Sequence, residues 1–172
     1  MRKQRGFSLI ELLIVVAVIL IIAAIAIPSL LRARIAANEA SAISATRSIT
    51  TAQLTYYQTF QIGYADTLAK LGSPAGGCSG SGGTSTNACL VDWVLTNSAV
   101  VPKSGYTFQV GVGSSGTTDT YVASAFADVW NTTGVRSFCA LEDHVIRVKF
   151  PTGQDVAADA SACNGFAVMN TN

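Results

Sequence analysis

Charge is scarce in this chain. Its 172 residues hold eleven Lys/Arg, ten Asp/Glu and one His, so only 12% are charged and the net charge is +1. An ordinary globular domain carries about 25% charged residues. A disordered chain is charge-rich and apolar-poor, whereas 49% of this one is hydrophobic. The near balance of signs excludes a partner held by a large basic surface, so nucleic acid is not supported. Histidine is almost missing. His144 stands alone, and no Ser and Asp join it at the spacing of a hydrolytic motif. Glu142-Asp143-His144 reads instead as a polar turn between strands. Residues 29–61 lack both Gly and Pro, the two helix breakers. Most telling, residues 12–31 carry no charge at all.

What is present begins with that apolar run. Met1-Arg2-Lys3-Gln4-Arg5-Gly6 precedes it and is basic, which holds the N-terminus in the cytoplasm and sends the rest outward. Residues 7–31 are long enough to span about 30 Å of hydrocarbon as a helix. Three fates compete. A secretory signal peptide would be removed after the run, and Ala24-Ile25-Ala26 is a passable small-x-small site for cleavage after Ala26. A plain anchor would stay whole. A segment cut before the run would leave the run at the start of the mature protein. Glu11 discriminates among them. A carboxylate so near an apolar core costs on the order of 2.5–3.5 kcal/mol, and neither of the first two fates gains from it. A chain that begins at Phe7 does gain. Its new α-amino group can pair with Glu11 of a staggered neighbouring helix, which offsets the cost and sets the register.

Gly6-Phe7-Ser8-Leu9-Ile10-Glu11 followed by an apolar run resembles the prepilin signature of type IV pilins and type II secretion pseudopilins. The resemblance covers residues 1 to about 65, and beyond that it is one of general architecture. It implies cleavage by a prepilin peptidase between Gly6 and Phe7, N-methylation of Phe7, and neutralisation of a neighbour's N-terminus by Glu11. It also implies an assembly role for Pro28, where the helix loosens as a subunit leaves the membrane. From physics alone, Pro28 removes one helix hydrogen bond and clashes with the carbonyl of Ala24.

The stretch 32–62 reads as an amphipathic helix. At 100° per residue, Ile35, Ala42, Ile43, Ala45, Ile49, Ala52, Leu54, Tyr56, Tyr57 and Phe60 share one half. Ser41, Ser44, Arg47, Ser48, Thr51, Thr55 and Gln58 share the other. Gly63 reads as the end signal. Arg32, Arg34 and Glu39 are placed to form pairs between subunits, and Tyr56, Tyr57, Phe60 and Tyr64 read as core aromatics.

Downstream, residues 72–88 are rich in Gly, Ser and Thr and predict a loop. Residues 89–95 predict a short helix, and 106–112, 120–127, 135–140 and 145–150 predict strands in an antiparallel meander. The fold class is therefore α+β, a long helix laid on a sheet. Gly111-Val112-Gly113-Ser114-Ser115-Gly116 matches a phosphate-binding pattern, but a strand follows it rather than a helix, so it reads as a hairpin turn. Four cysteines in an exported head argue for two disulfides among three possible connectivities. Cys78–Cys89 would close a loop poor in structure, and Cys139–Cys163 would tie the tail to a strand. The resemblance adds that pilins commonly carry a C-terminal disulfide like the second pair. No close cysteine pair suggests zinc, and Asp155 and Asp159 form no calcium loop, so no metal and no cofactor are predicted. Asn131-Thr132-Thr133 fits the N-glycosylation triplet.

The expected organisation is a leader at 1–6, a membrane and filament-core helix at 7–31 and a head at 32–172. With Arg2, Lys3 and Arg5 removed, eight basic side chains face ten acidic ones, a net charge of −2. The chain reads as a structural subunit, not an enzyme, whose main partner is further copies of itself. The resemblance supplies the remaining partners: prepilin peptidase, an inner-membrane assembly platform and a motor ATPase. It places the subunit in the bacterial inner membrane with its head outside the cytoplasm, then in a pilus or a periplasmic pseudopilus. The alternatives are a pseudopilin of a type II secretion system and a secreted domain cleaved after Ala26.

Overall fold

The computed structural model describes residues 8–73, 77–78, 83–113, 118–150, 153, 156–157 and 159–169. The chain divides into two compact units, one ending at Arg34 and the other beginning at Ile35. One helix, α1 (Leu9–Phe60), supplies residues to both.

In the head, α1 buries Ala42, Ala45, Ile49, Ala52 and Tyr56, as the periodicity predicts. It also buries four polar residues that the periodicity passes over: Glu39, Thr46, Thr50 and Gln53. Each is satisfied, as burial requires. The Thr46 and Thr50 hydroxyls donate to the carbonyls of Ala42 and Arg47 at 2.9 and 2.8 Å. The Gln53 amide pairs with Ala65 as a strand neighbour would, accepting from its N–H at 2.9 Å and donating to its carbonyl at 2.8 Å. Because these groups take up the inner face, Leu54 and Tyr57 lie outside it, 38% and 46% exposed, contrary to the expected apolar half. The helix also ends before Gly63. Gln61 takes the left-handed conformation (φ 54°) and donates its N–H to the carbonyl of Tyr57 at 3.0 Å, which closes the last turn.

Two short helices follow, α2 (Leu68–Leu71) and α3 (Trp93–Thr96). The helix expected at 89–95 begins later, because Asp92 caps it by accepting the Leu95 N–H at 2.6 Å. Residues before the cap pair instead with the end of α2. Ala88 and Leu90 donate to the carbonyls of Lys70 and Leu71 at 2.7 and 2.8 Å.

The sheet is an antiparallel meander in the order β1-β2-β3-β4-β5: β1 (Tyr106–Val112), β2 (Tyr121–Ala127), β3 (Ser137–Ala140), β4 (Arg147–Lys149) and β5 (Ala167–Val168). The third strand is shorter than expected, since the N–H groups of Val135 and Arg136 go to the Glu39 carboxylate. The fourth is shorter at both ends. His144 turns with φ 57°, and the Ile146 carbonyl accepts from Met169 at 3.0 Å. Helix α4 (Ala160–Asn164), capped by Asp159, and β5 carry too few residues for a periodic signal.

Beyond its α1 face, the main core contains Tyr106, Phe108, Tyr121, Phe138 and Leu95. A second core of Val122, Cys139, Leu141, Ala157, Cys163 and Phe166 covers the other side of the sheet. With apolar neighbours on both faces, β2 is buried almost throughout.

Candidate functional site

The N-terminal half of α1 is helical because it is unbroken Leu, Ile, Val and Ala. Ser8 precedes it, and the Ser8 carbonyl accepts from Glu11 and Leu12 at 3.1 and 3.3 Å. Glu11 thus stands in the first turn, where the helix dipole favours an anion. Gly6 and Phe7 lie outside the described residues. Every Leu, Ile and Val from Leu9 to Leu31 is at least 45% exposed, so among the described residues nothing covers this surface. The helix is long and apolar enough to cross a membrane. The helix continues through Pro28. Around it, the small residues Ala26, Ser29 and Ala33, with Ile27 and Leu30, line a notch of about 470 Å³. Small residues at such spacing let helix backbones approach closely. The pattern Ser29-x-x-x-Ala33 carries the sequence signal for this feature.

Glu39 does not serve as the subunit pairing group that its place near Arg32 and Arg34 suggests. It is 3% exposed. Its Oε1 accepts the N–H groups of Val135 and Arg136 at 3.0 and 3.1 Å, and its Oε2 accepts Nε and Nη2 of Arg136 at 2.8 and 2.6 Å. Two N–H groups of the guanidinium thus converge on one charged oxygen, a charge-assisted pairing. Asn38 adds a hydrogen bond to the Thr133 carbonyl at 2.9 Å, and Tyr106 donates to the Arg136 carbonyl at 2.8 Å. Together these groups fasten the head half of α1 to the segment before β3.

Cys78 bonds to Cys89 and Cys139 to Cys163, with Cα separations of 6.1 and 5.9 Å. Gly113 donates to Thr120 at 3.1 Å, so the glycine-rich pattern connects two antiparallel strands, and residues 114–117 lie outside the described set. Residues 142–143 form the turn that His144 closes. Among the aromatics, Tyr56 is buried and Phe60 and Tyr64 border the core, but Tyr57 is on the surface.

Comparison with known proteins bears on both units. The family model for the prokaryotic N-terminal methylation motif matches residues 1–27, the stretch that contains Gly6, Phe7 and Glu11. The type IV wide pilus major component PilA4 of Thermus thermophilus is 62% identical over 39 residues, which is 23% of this chain and 30% of that protein. The type IV major pilin protein PilA of Myxococcus xanthus is 31% identical over an alignment of 184 positions that takes in 99% of this chain and 74% of that protein. This chain belongs to the type IV pilin family. No solved structure matches the pilin. Its α+β architecture, a long helix with an apolar N-terminal half and an antiparallel sheet, agrees with that membership.

Proposed function

We propose that this pilin is the structural subunit of a type IV pilus and has no catalytic role. It is inserted in the inner membrane with its head outside the cytoplasm. Prepilin peptidase cuts between Gly6 and Phe7, and Phe7 is N-methylated. The subunit then stacks through the helix from Phe7 onward. One observation carries this reading: a carboxylate, Glu11, in the first turn of a helix whose apolar side chains are uncovered on all sides. A large exposed apolar surface marks an interaction or membrane site. Lipid covers it first and copies of the same helix cover it afterwards.

The charge balance at the tip supports the same reading. The α-amino group of Phe7 and the carboxylate of Glu11 can neutralise each other between staggered subunits. Burial of the apolar surface in the fibre is worth at most about 25 cal/mol per Å² relative to water. In lipid that surface is already out of water, so extraction needs an energy source, and the motor ATPase and assembly platform of the family fill that role.

Two measurements test this. Mass spectrometry of the mature chain should find methyl-Phe7 at its N-terminus. An N-terminus at Ile27 would mean a secreted head and defeat the proposal. The variant Glu11→Ala should stay membrane-bound and fail to form fibres seen by electron microscopy. Wild-type fibre yield from that variant would remove the pairing mechanism.

A further inference from the structure

A groove lies at the C-terminal end of α1. The groove encloses about 700 Å³ and is lined by Tyr57, Gln58, Gln61, Ile62, Thr118 and Asp119. Small-molecule sites span about 300–1,000 Å³.

The groove is firmly built. Tyr64 donates its N–H to the Thr118 carbonyl at 2.7 Å, and the Thr118 hydroxyl donates to the Ile62 carbonyl at 3.2 Å. Gly63, at φ 98°, permits this approach, because a Cβ there would fall 2.1 Å from Thr118 Oγ1. The Tyr57 ring is braced by Tyr64, with centroids 4.9 Å apart, and Tyr64 is braced by Tyr121 at 4.8 Å. A rigid aromatic ring, 46% exposed, therefore borders the opening.

The chemistry of the lining selects a ligand class. The Gln58 and Gln61 amides each donate and accept, the Asp119 carboxylate accepts, and the Tyr57 hydroxyl does both. Among the described residues no cation lines the groove, and the last turn of α1 holds no basic residue to offset its carbonyl end. An anionic ligand is disfavoured there. A ligand with an apolar C–H face for the ring and a rim of hydroxyls for the amides and carboxylate fits. We propose that this groove binds a neutral carbohydrate.

Gln61 holds the left-handed position that ends the helix, where glycine is the least strained choice, and its amide side chain lines the groove.

The proposal does not rest on fibre assembly, and its test reads binding alone. The processed full-length chain in detergent micelles is titrated with chitotetraose and maltotetraose, and with a hyaluronan tetrasaccharide as the anionic comparison. Saturation-transfer NMR and calorimetry report binding. At least one neutral tetrasaccharide should bind, and the hyaluronan fragment should bind at least about tenfold more weakly, about 1.4 kcal/mol. The variant Gln61→Gly should keep or raise the melting temperature while weakening binding about tenfold, a pattern no purely structural role produces. Tyr57→Ala should weaken it similarly. Failure of both neutral probes, equal binding of the anionic one, or unchanged affinity in both variants would overturn the proposal.

Discussion

Glu39 shows how much one side chain can decide. Its carboxylate accepts from four N–H groups and is almost completely buried. Replacing it with Ala leaves Arg136 partly buried without its partner and two backbone donors without an acceptor. Breaking such a pair from one side costs about 3–5 kcal/mol. Glu39→Ala should therefore lower the urea midpoint of the full chain strongly, while Glu39→Gln, whose amide oxygen still accepts, should lower it less. Equal, small losses in both variants would show the clamp to be energetically idle. The Arg136 guanidinium carbon also lies 5.6 Å from the Phe138 ring centroid.

At the level of elements, the two disulfides hold different pieces. Cys139–Cys163 joins β3 to α4 across the second core. Cys78–Cys89 closes the loop beside the pairing of residues 70–72 with 88–91. Each closure is worth about 3 kcal/mol by loop entropy. Replacing Cys139 and Cys163 by Ala should speed amide exchange at Phe166 and Met169 while the β1–β2 ladder keeps its protection. Replacing Cys78 and Cys89 should instead speed exchange at Ala88 and Leu90. Uniform loss of protection in either variant would show that these elements are not separate cooperative pieces.

Taken as a whole, the molecule meets the demand for burial in two ways. The head covers its own apolar side chains on both faces of a sheet. The described residues of the N-terminal unit cover almost none, and the proposed function leaves that to lipid or to copies of the same helix. The head also buries several tyrosines. Burial first, and the nearby Glu39 carboxylate second, push the Tyr106 hydroxyl well above its ordinary value of 10.0. Burial, then Tyr64 and Glu142, does the same for Tyr121. Raised values mean that the folded state keeps protons the unfolded state releases. Stability is therefore fully present below about pH 10 and is lost as pH rises through the folded values. The urea midpoint should hold steady between pH 8 and about 10 and fall at pH 11. A flat profile to pH 12 would contradict the burial of these hydroxyls.

The apolar run, its lone carboxylate, the amphipathic spacing and the first strand were legible in the sequence, because each is a local pattern with a period of its own. The 106–112 expectation matches β1 residue for residue, and the run to Leu31 needs only composition. The end of the long helix was legible to within two residues, but its cap was not, since Gln61 rather than Gly63 takes the left-handed position that closes the last turn. Nor were Glu39, Gln53 and Ser98, whose partners lie 97, 12 and 10 residues away. Ser98 accepts the Phe108 N–H at 3.1 Å on the edge strand, a role no spacing announces. A polar residue in an amphipathic pattern is scored as solvent-facing unless its partner is known. The partner exists only once distant segments have been brought together, so the sequence fixes periodic burial of apolar groups and the tertiary structure alone decides which polar groups go in with them.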